Sequence, residues 1–368
     1  MTDRRAFLTG IAAAALPGCG WTGRSSSSVT SAATIGESRH VVVRIDRTDQ
    51  LRYAVDLPER GHDAVISADR KVMTVVARRP GRTIAQFRWR DGKLLNVVES
   101  AANRHFYGHA VYSPDGRWLV TSENDLNSGT GVLAIRDAKS LRVEHEVPSF
   151  GIGPHEMAWH PTSGNLVVAN GGIATHPDYG REPLNIESMA PSIVQIDLLR
   201  QKLVERRLPR LSKSSVRHID QLADGTTIIG LQQQSNTLDD VPVVVQTDWQ
   251  GGSGPTLEEL EVSPPDLRAM SAYTASVCCD PTTGTTAVTA PRGHRVSFWD
   301  SKKSAHLKSV KISDAAGVDF DPIAREFIIS SGRGIIYRFD ARTLQESKDQ
   351  RKRFRDIRFD NHLTITPV

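Results

Sequence analysis

Residues 110–122 read AVYSPDGRWLVTS: a short apolar run, a corner of Ser113, Pro114, Asp115 and Gly116, and a second apolar run ending in small residues. Proline presets φ at the corner, an aspartate side chain accepts from the backbone just beyond it, and glycine takes positive φ without steric cost. The stretch therefore predicts an antiparallel hairpin. Working outward, a polar loop at 123–130 leads to a third run, 131–137, which ends at Asp137, and a fourth follows at 143–147. Such a unit has two apolar faces to bury, and one sheet cannot cover both alone.

The same order recurs along the chain. Further copies occupy 64–99, 155–208, 219–248, 275–311 and 317–340. A period of roughly 45 to 60 residues is that of propeller blades or solenoid repeats. Strand-like fragments at 40–46, 53–57 and 357–365 remain at the two ends and supply a seventh copy. The expectation is an all-β chain folded as a seven-bladed β-propeller, with N- and C-terminal strands closing one blade and so removing the open sheet edge.

In such a blade the loop after the second strand lies beside the start of the innermost strand. Loops 123–130, 170–189, 232–236, 291–294 and 331–334 should thus share one face with the residues that open the innermost strands. Those residues include His62, His109, His155, His218 and His362, five of the twelve histidines at one repeat position. One histidine there reads as a hydrogen-bonded link between blades; five aligned read as a ring at the channel mouth. Imidazole is the commonest transition-metal ligand, so these five are the candidate metal ligands, with Glu123, Asp125, Glu156, Asp178 and Asp220 as available carboxylates. Metal–nitrogen bonds of about 2.0–2.1 Å hold the ligand atoms of one ion within about 4 Å of each other, so the five cannot all serve one ion. His155 and His160 with Glu156 between imitate a zinc-protease motif, but they stand five apart and run directly into Pro161, which excludes that reading.

The loop at 170–189 carries Asn170, His176, Asp178, Arg181, Glu182 and Glu187, more polar chemistry than closing two strands needs. Long loops inside compact domains are commonly binding or lid elements.

The chain has 368 residues, 39% hydrophobic and 24% charged, with a net charge of +4. That balance suits a sizeable core and excludes disordered and fibrous classes. Arg4-Arg5-Ala6-Phe7-Leu8 before a short apolar run resembles a twin-arginine export signal, and Leu16-Pro17-Gly18-Cys19 resembles a lipoprotein cleavage box in which Cys19 is acylated. The expected organisation is an export signal over 1–19, a Ser-rich linker over 20–38 and the propeller over 39–368, located in the periplasm, with a lipid on Cys19 as the membrane attachment. Nucleic acid is not an expected partner of an exported protein. The basic run 351–355 reads as a solvated face, with an anionic membrane surface as the functional alternative. Cys278 and Cys279 read as small apolar residues on opposite faces of one strand.

No nucleophile elbow, phosphate-binding loop, dinucleotide fingerprint or haem attachment site occurs. A histidine and carboxylate site assembled from several blades would leave no linear motif, so hydrolase or lactonase chemistry stays open.

The chain resembles a bacterial family of exported proteins, DUF1513. The resemblance rests on Arg104-His105-Phe106-Tyr107-Gly108-His109, Ser113 to Gly116, Thr121 to Asp125, Gly151 to Glu156, Ala169 to Ile173 with Thr175-His176-Pro177, Gly180-Arg181-Glu182, Leu184-Asn185, Arg217-His218, Ala290 to Gly293 and Asp360-Asn361-His362. It covers nearly all of the chain after the leader. Gln232-Gln233-Gln234 stands where the family has a Gln-Tyr-Gln type loop, and the paired cysteines are peculiar to this sequence. The resemblance adds His105, Tyr107, Asn124, Arg217 and Arg292 to the candidate binding residues. It implies a periplasmic propeller serving iron or another transition metal, with periplasmic iron-uptake or di-haem peroxidase-like proteins as partners. Its function class is a non-enzymatic binding or docking propeller; the alternatives are the hydrolase or lactonase and a metal-free protein-interaction scaffold.

Overall fold

A computed structural model of the chain describes residues 27–235, 240–249 and 255–367. Its strands form seven antiparallel sheets arranged as the blades of a propeller. Blades two to seven each use four consecutive strands, and their innermost strands are Gly61–Ile66, Arg104–Tyr112, Pro154–Trp159, Ser214–Gln221, Ser276–Cys279 and Ala315–Asp321. Blade one joins the two ends of the chain. Ser27–Ile35, Arg39–Ile45 and Leu51–Asp56 form its outer three strands, and the innermost place is shared by Ile357–Phe359 and Thr364–Pro367, both antiparallel to Ser27–Ile35.

Ser27–Ile35 lies within the 20–38 stretch expected to be a linker, and the structure corrects that boundary. Its sequence, SSVTSAATI, is too small and polar to announce a strand. It becomes one because the C-terminal strands cover it: Ser28, Thr30 and Ser31 are buried, and Ser31 Oγ donates to the carbonyl of His362 (2.6 Å). The stretch expected to be an export leader, Cys19 and the first residues of the serine stretch lie outside the described residues.

Seven apolar clusters lie between the blades, each drawing side chains from two neighbouring sheets. Phe298 of blade six meets Phe327 and Phe339 of blade seven, with ring centroids 5.8 and 5.4 Å apart. Burial on both faces explains why second strands such as Val72–Ala77 and Leu166–Asn170 are nearly unbroken apolar runs rather than alternating ones. Cys278 and Cys279 enter different clusters, one on each side of their sheet, and neither forms a disulfide.

Turn chemistry sets the hairpins. Asp115 Oδ1 accepts from Ser113 Oγ (2.5 Å) and from the Arg117 N–H (3.1 Å), while Gly116 sits at φ +69°. The aspartates that end third strands close the next corner in the same way: Asp137 accepts from the Ser140 N–H (2.8 Å), Asp197 from Arg200 (2.9 Å), Asp300 from Lys303 (3.1 Å) and Asp340 from Thr343 (2.7 Å). The repeated aspartate is therefore a local hydrogen-bonding device.

Candidate functional site

The innermost strands are irregular where the histidines stand. Pairing slips between Gly61 and Asp63, between Phe106 and Ala110, between Pro154 and Met157, and between Val216 and His218. A bulge at these points re-aims side chains out of the plain alternation of a strand. In blade one the gap between the two C-terminal strands does the same for His362. Gly108, at φ +104°, makes room beside the ring, because a Cβ there would lie 2.6 Å from the His62 imidazole.

His62, His109, His155, His218 and His362 converge on one another. Neighbouring ring centroids lie 4.4 to 5.8 Å apart, and His109 stacks edge-on against both His155 (4.4 Å) and His362 (4.7 Å). All five are buried, at 7% exposure or less, so the ring lies inside the channel and not at its open mouth. Two triads, His62 with His109 and His155, and His109 with His218 and His362, place one nitrogen from each member within 4.8 Å of the others. A tetrahedral ion would need these nitrogens about 3.4 Å apart, so side-chain rotations of about an ångström separate either triad from a coordination shell.

Three of the five imidazoles turn Nδ1 toward a carboxylate. His62 Nδ1 is 2.9 Å from Asp360, His218 Nδ1 is 3.3 Å from Glu156, and His109 Nδ1 is 3.5 Å from Asp63. This leaves Nε2 as the ligating atom and is the outer-shell arrangement that orients metal-bound histidines. His155 Nδ1 and His362 Nε2 are buried without a hydrogen-bond partner. Burial pushes the pKa of His62, His155 and His218 well down, and that of His362 to about 3. These four imidazoles are thereby held in the neutral form that binds metals.

The two sides of the ring differ in charge. Toward the ends where the innermost strands begin, a cavity of about 60 Å³ is lined by Arg78, Arg79, Arg181, Arg217, Tyr107 and Tyr273 together with His62, His155 and His218. Arg78 and Arg79 follow the second strand of blade two and Arg181 belongs to the long loop after the second strand of blade four, so these loops do meet the starts of the innermost strands. Further along the same strands a second cavity, of about 240 Å³, is lined by Asp63, Glu156, Asp220, Asp319 and Cys278. These carboxylates tie blades together: Glu156 accepts from the Ile219 N–H (2.9 Å), Asp220 from Cys279 (2.6 Å) and Asp319 from Ile365 (2.6 Å). Burial raises Glu156, takes Asp220 to about 7 and takes Asp319 to about 6.

Several sequence candidates belong elsewhere. Glu123 is buried in a blade, where it accepts from Arg136 (2.7 Å) and Thr121 (2.8 Å). His176 caps a short turn by accepting from the Asp178 N–H (3.2 Å); its side chain is 37% exposed, and it does not join the ring. Asp178 and Glu182 are exposed on the loop, and Asp125 forms a partly buried pair with Arg104 (2.9 Å). His105 and Asn124 bond each other (3.2 Å), Asn124 reaches the Thr175 carbonyl (3.1 Å), and Asn170 donates to Ser149 (3.0 Å). Arg292 lies over the Tyr273 ring, 4.2 Å from its centre. Of the non-histidine candidates, Tyr107, Arg181 and Arg217 line the basic cavity, and Glu156 and Asp220 the acidic one. Sequence reasoning missed Asp63, Arg78, Arg79, Tyr273, Asp319 and Asp360. Adjacency to His62 was the signal for Asp63, and Asp360 stood in the Asp360-Asn361-His362 motif without a role assigned to it.

Fold and channel together define a seven-bladed propeller with a histidine cluster at its axis. The chain belongs to the family described as "Protein of unknown function (DUF1513)", whose profile matches residues 55–366. No curated protein matches the chain in sequence. Among solved structures it is similar to Kuenenia stuttgartiensis hydrazine synthase, at 13% identity and a TM-score of 0.61 over 86% of this chain and 90% of that one. Apo AztD from Citrobacter koseri is also similar, at 9% identity and a TM-score of 0.57 over 94% and 99% of the two chains. At these identities the likeness is one of fold alone.

Proposed function

We propose that the protein is a non-enzymatic binding propeller that holds a transition-metal ion on the histidine cluster in its channel. The observation that carries this is the cluster's wiring: five buried, converging imidazoles, three of them with Nδ1 facing a carboxylate. A purely structural histidine would use both ring nitrogens within the protein, whereas His109 Nε2 is buried without a hydrogen-bond partner while its Nδ1 faces Asp63. An all-imidazole set without thiolate suits iron, copper, nickel or zinc and not calcium or magnesium. Under this proposal the twin-arginine-like leader places the protein in the periplasm, where it serves as an accessory in handling iron or another such metal.

Calorimetric titration with Fe(II), Cu(II) and Zn(II) tests this on the wild type and on His109→Gln. His109 belongs to both triads, and glutamine keeps most of its volume, so a thermal melt on the same sample controls for folding. One-site binding that His109→Gln weakens by a hundredfold or more is expected. Identical titrations would make the cluster structural and leave a metal-free scaffold; turnover of lactones or esters would favour the hydrolase.

A further inference from the structure

The basic cavity contains more positive charge than the protein neutralises. No carboxylate among the described residues lines it, and Asp360, which pairs with Arg78 of the lining (2.5 Å), is also engaged by Arg60 (2.7 Å) and His62 (2.9 Å). Arg79, Arg181 and Arg217 make no ion pair among the described residues. Arg217 is only 5% exposed and its Nε has no hydrogen-bond partner; Arg79 Nη1 is likewise buried and unpartnered. Leaving guanidinium groups buried and unpaired is costly, and an anion is the partner that offsets both the charge and the missing hydrogen bonds. The strain also appears in the acid–base behaviour of Arg79: burial, followed by the charge of Arg217, pulls its pKa down to about 9.

We infer that the cavity bounded by Arg79, Arg181 and Arg217 is a binding site for a small oxyanion, a phosphate, carbonate or carboxylate group, seated against the outer side of the histidine cluster. Size and donor geometry agree with this class. A space of about 60 Å³ corresponds to roughly four to six water positions, enough for one such group and not for a nucleotide or sugar. Guanidinium forks match the paired oxygens of carboxylates and phosphates. The arginines come from three blades: Arg79 follows a second strand, Arg217 lies in the bulge beside His218, and Arg181 is supplied by the long loop at 170–189. That loop gains a role it lacked, because its exposed Arg181 is the element able to close over the anion. The site does not require a metal on the ring, since the arginines are unpaired in either case.

Full-length protein stripped of metal with a chelator is titrated with inorganic phosphate, bicarbonate and acetate by calorimetry, at constant ionic strength. The expected result is saturable one-to-one binding of at least one of the three, and their order identifies which oxyanion the site takes. Arg79→Gln and Arg181→Gln should each weaken it about tenfold to a hundredfold, the value of a charge-assisted hydrogen bond. Arg142→Gln, a surface arginine paired with Glu144, should leave it unchanged. Arg181 is exposed, so its variant folds independently of the cavity. No saturable binding, or affinities unchanged in both cavity variants, overturns the inference. Because these titrations are run without metal, their failure would not touch the metal proposal, and a metal-free ring would not touch this one.

Discussion

Replacing Asp360 by asparagine should be the most informative single change in the molecule. Its carboxylate is 3% exposed and gathers Arg60, His62 and Arg78, so one residue from the C-terminal segment of blade one is bound to three from blade two. Burial alone would raise its pKa, but the Arg78 charge and the His62 hydrogen bond outweigh this and hold it well below the usual carboxylate range. Asparagine keeps the volume and removes the charge, leaving Arg78, whose side chain is 15% exposed, without its partner. Breaking a buried pair in this way costs about 3–5 kcal/mol. Arg60 is half exposed and contributes little to that figure. With an unfolding entropy of about 2.1 cal/mol/K per residue over roughly 330 residues, the melting temperature should fall by about 4–7 °C. The pH sign follows from a depressed folded pKa: the contribution is present above the unfolded value near 4 and is lost as pH falls through the folded one. Calorimetric melts of wild type and Asp360→Asn should therefore differ by a constant amount between pH 5 and 8 and converge below about pH 4. A difference under 1 °C at pH 7, or one that persists unchanged at the acid end, would refute this account.

Other expectations are narrower. Asp319, raised to about 6 by burial, is in the opposite regime: its folded state prefers the proton, so stability is fully present below the unfolded pKa and declines as pH rises through 6. Asp319→Asn retains an acceptor for Ile365 and should raise the melting temperature at pH 8, by up to about 3 kcal/mol in free energy, with the gain vanishing toward pH 4. Metal affinity should hold through pH 6.5 and fall only in more acidic buffer, because burial depresses His62, His155, His218 and His362; a titration curve centred on 6.5 would refute the assignment of the metal to these four. Glu123→Gln should destabilise the fold by about 3–5 kcal/mol in a denaturant melt by stranding Arg136, and should leave metal binding unchanged.

The blades were legible because what defines them is local. Apolar runs, the Ser113-to-Gly116 corner and the aspartates at 137, 197, 300 and 340 all act within a few residues, so each copy declares itself without its neighbours. The alignment of the five histidines was legible for the same reason. Their depth was not: it depends on bulges that reveal themselves only when strands are paired, and a mouth position and a buried one look identical in sequence. Glu123 and His176 were drawn toward the ring by their place on its face of the propeller, but Arg136 and the Asp178 backbone hold them elsewhere. Arg78 and Arg79 looked like ordinary loop residues, and Ser27–Ile35 like a tether, because long-range pairing decides both.

The split innermost strand of blade one has a bearing on how the protein is made. Asp360 and His362 are among the last propeller residues to leave the ribosome, and until they arrive six complete blades and the outer three strands of another can form without closing. Residues 357–367 then fill the innermost place of blade one, and the same segment locks Arg60 and Arg78 and delivers the fifth imidazole. A product that ends short of them is open, unlocked and missing a ring member all at once, so circular closure and a finished channel are achieved together or not at all.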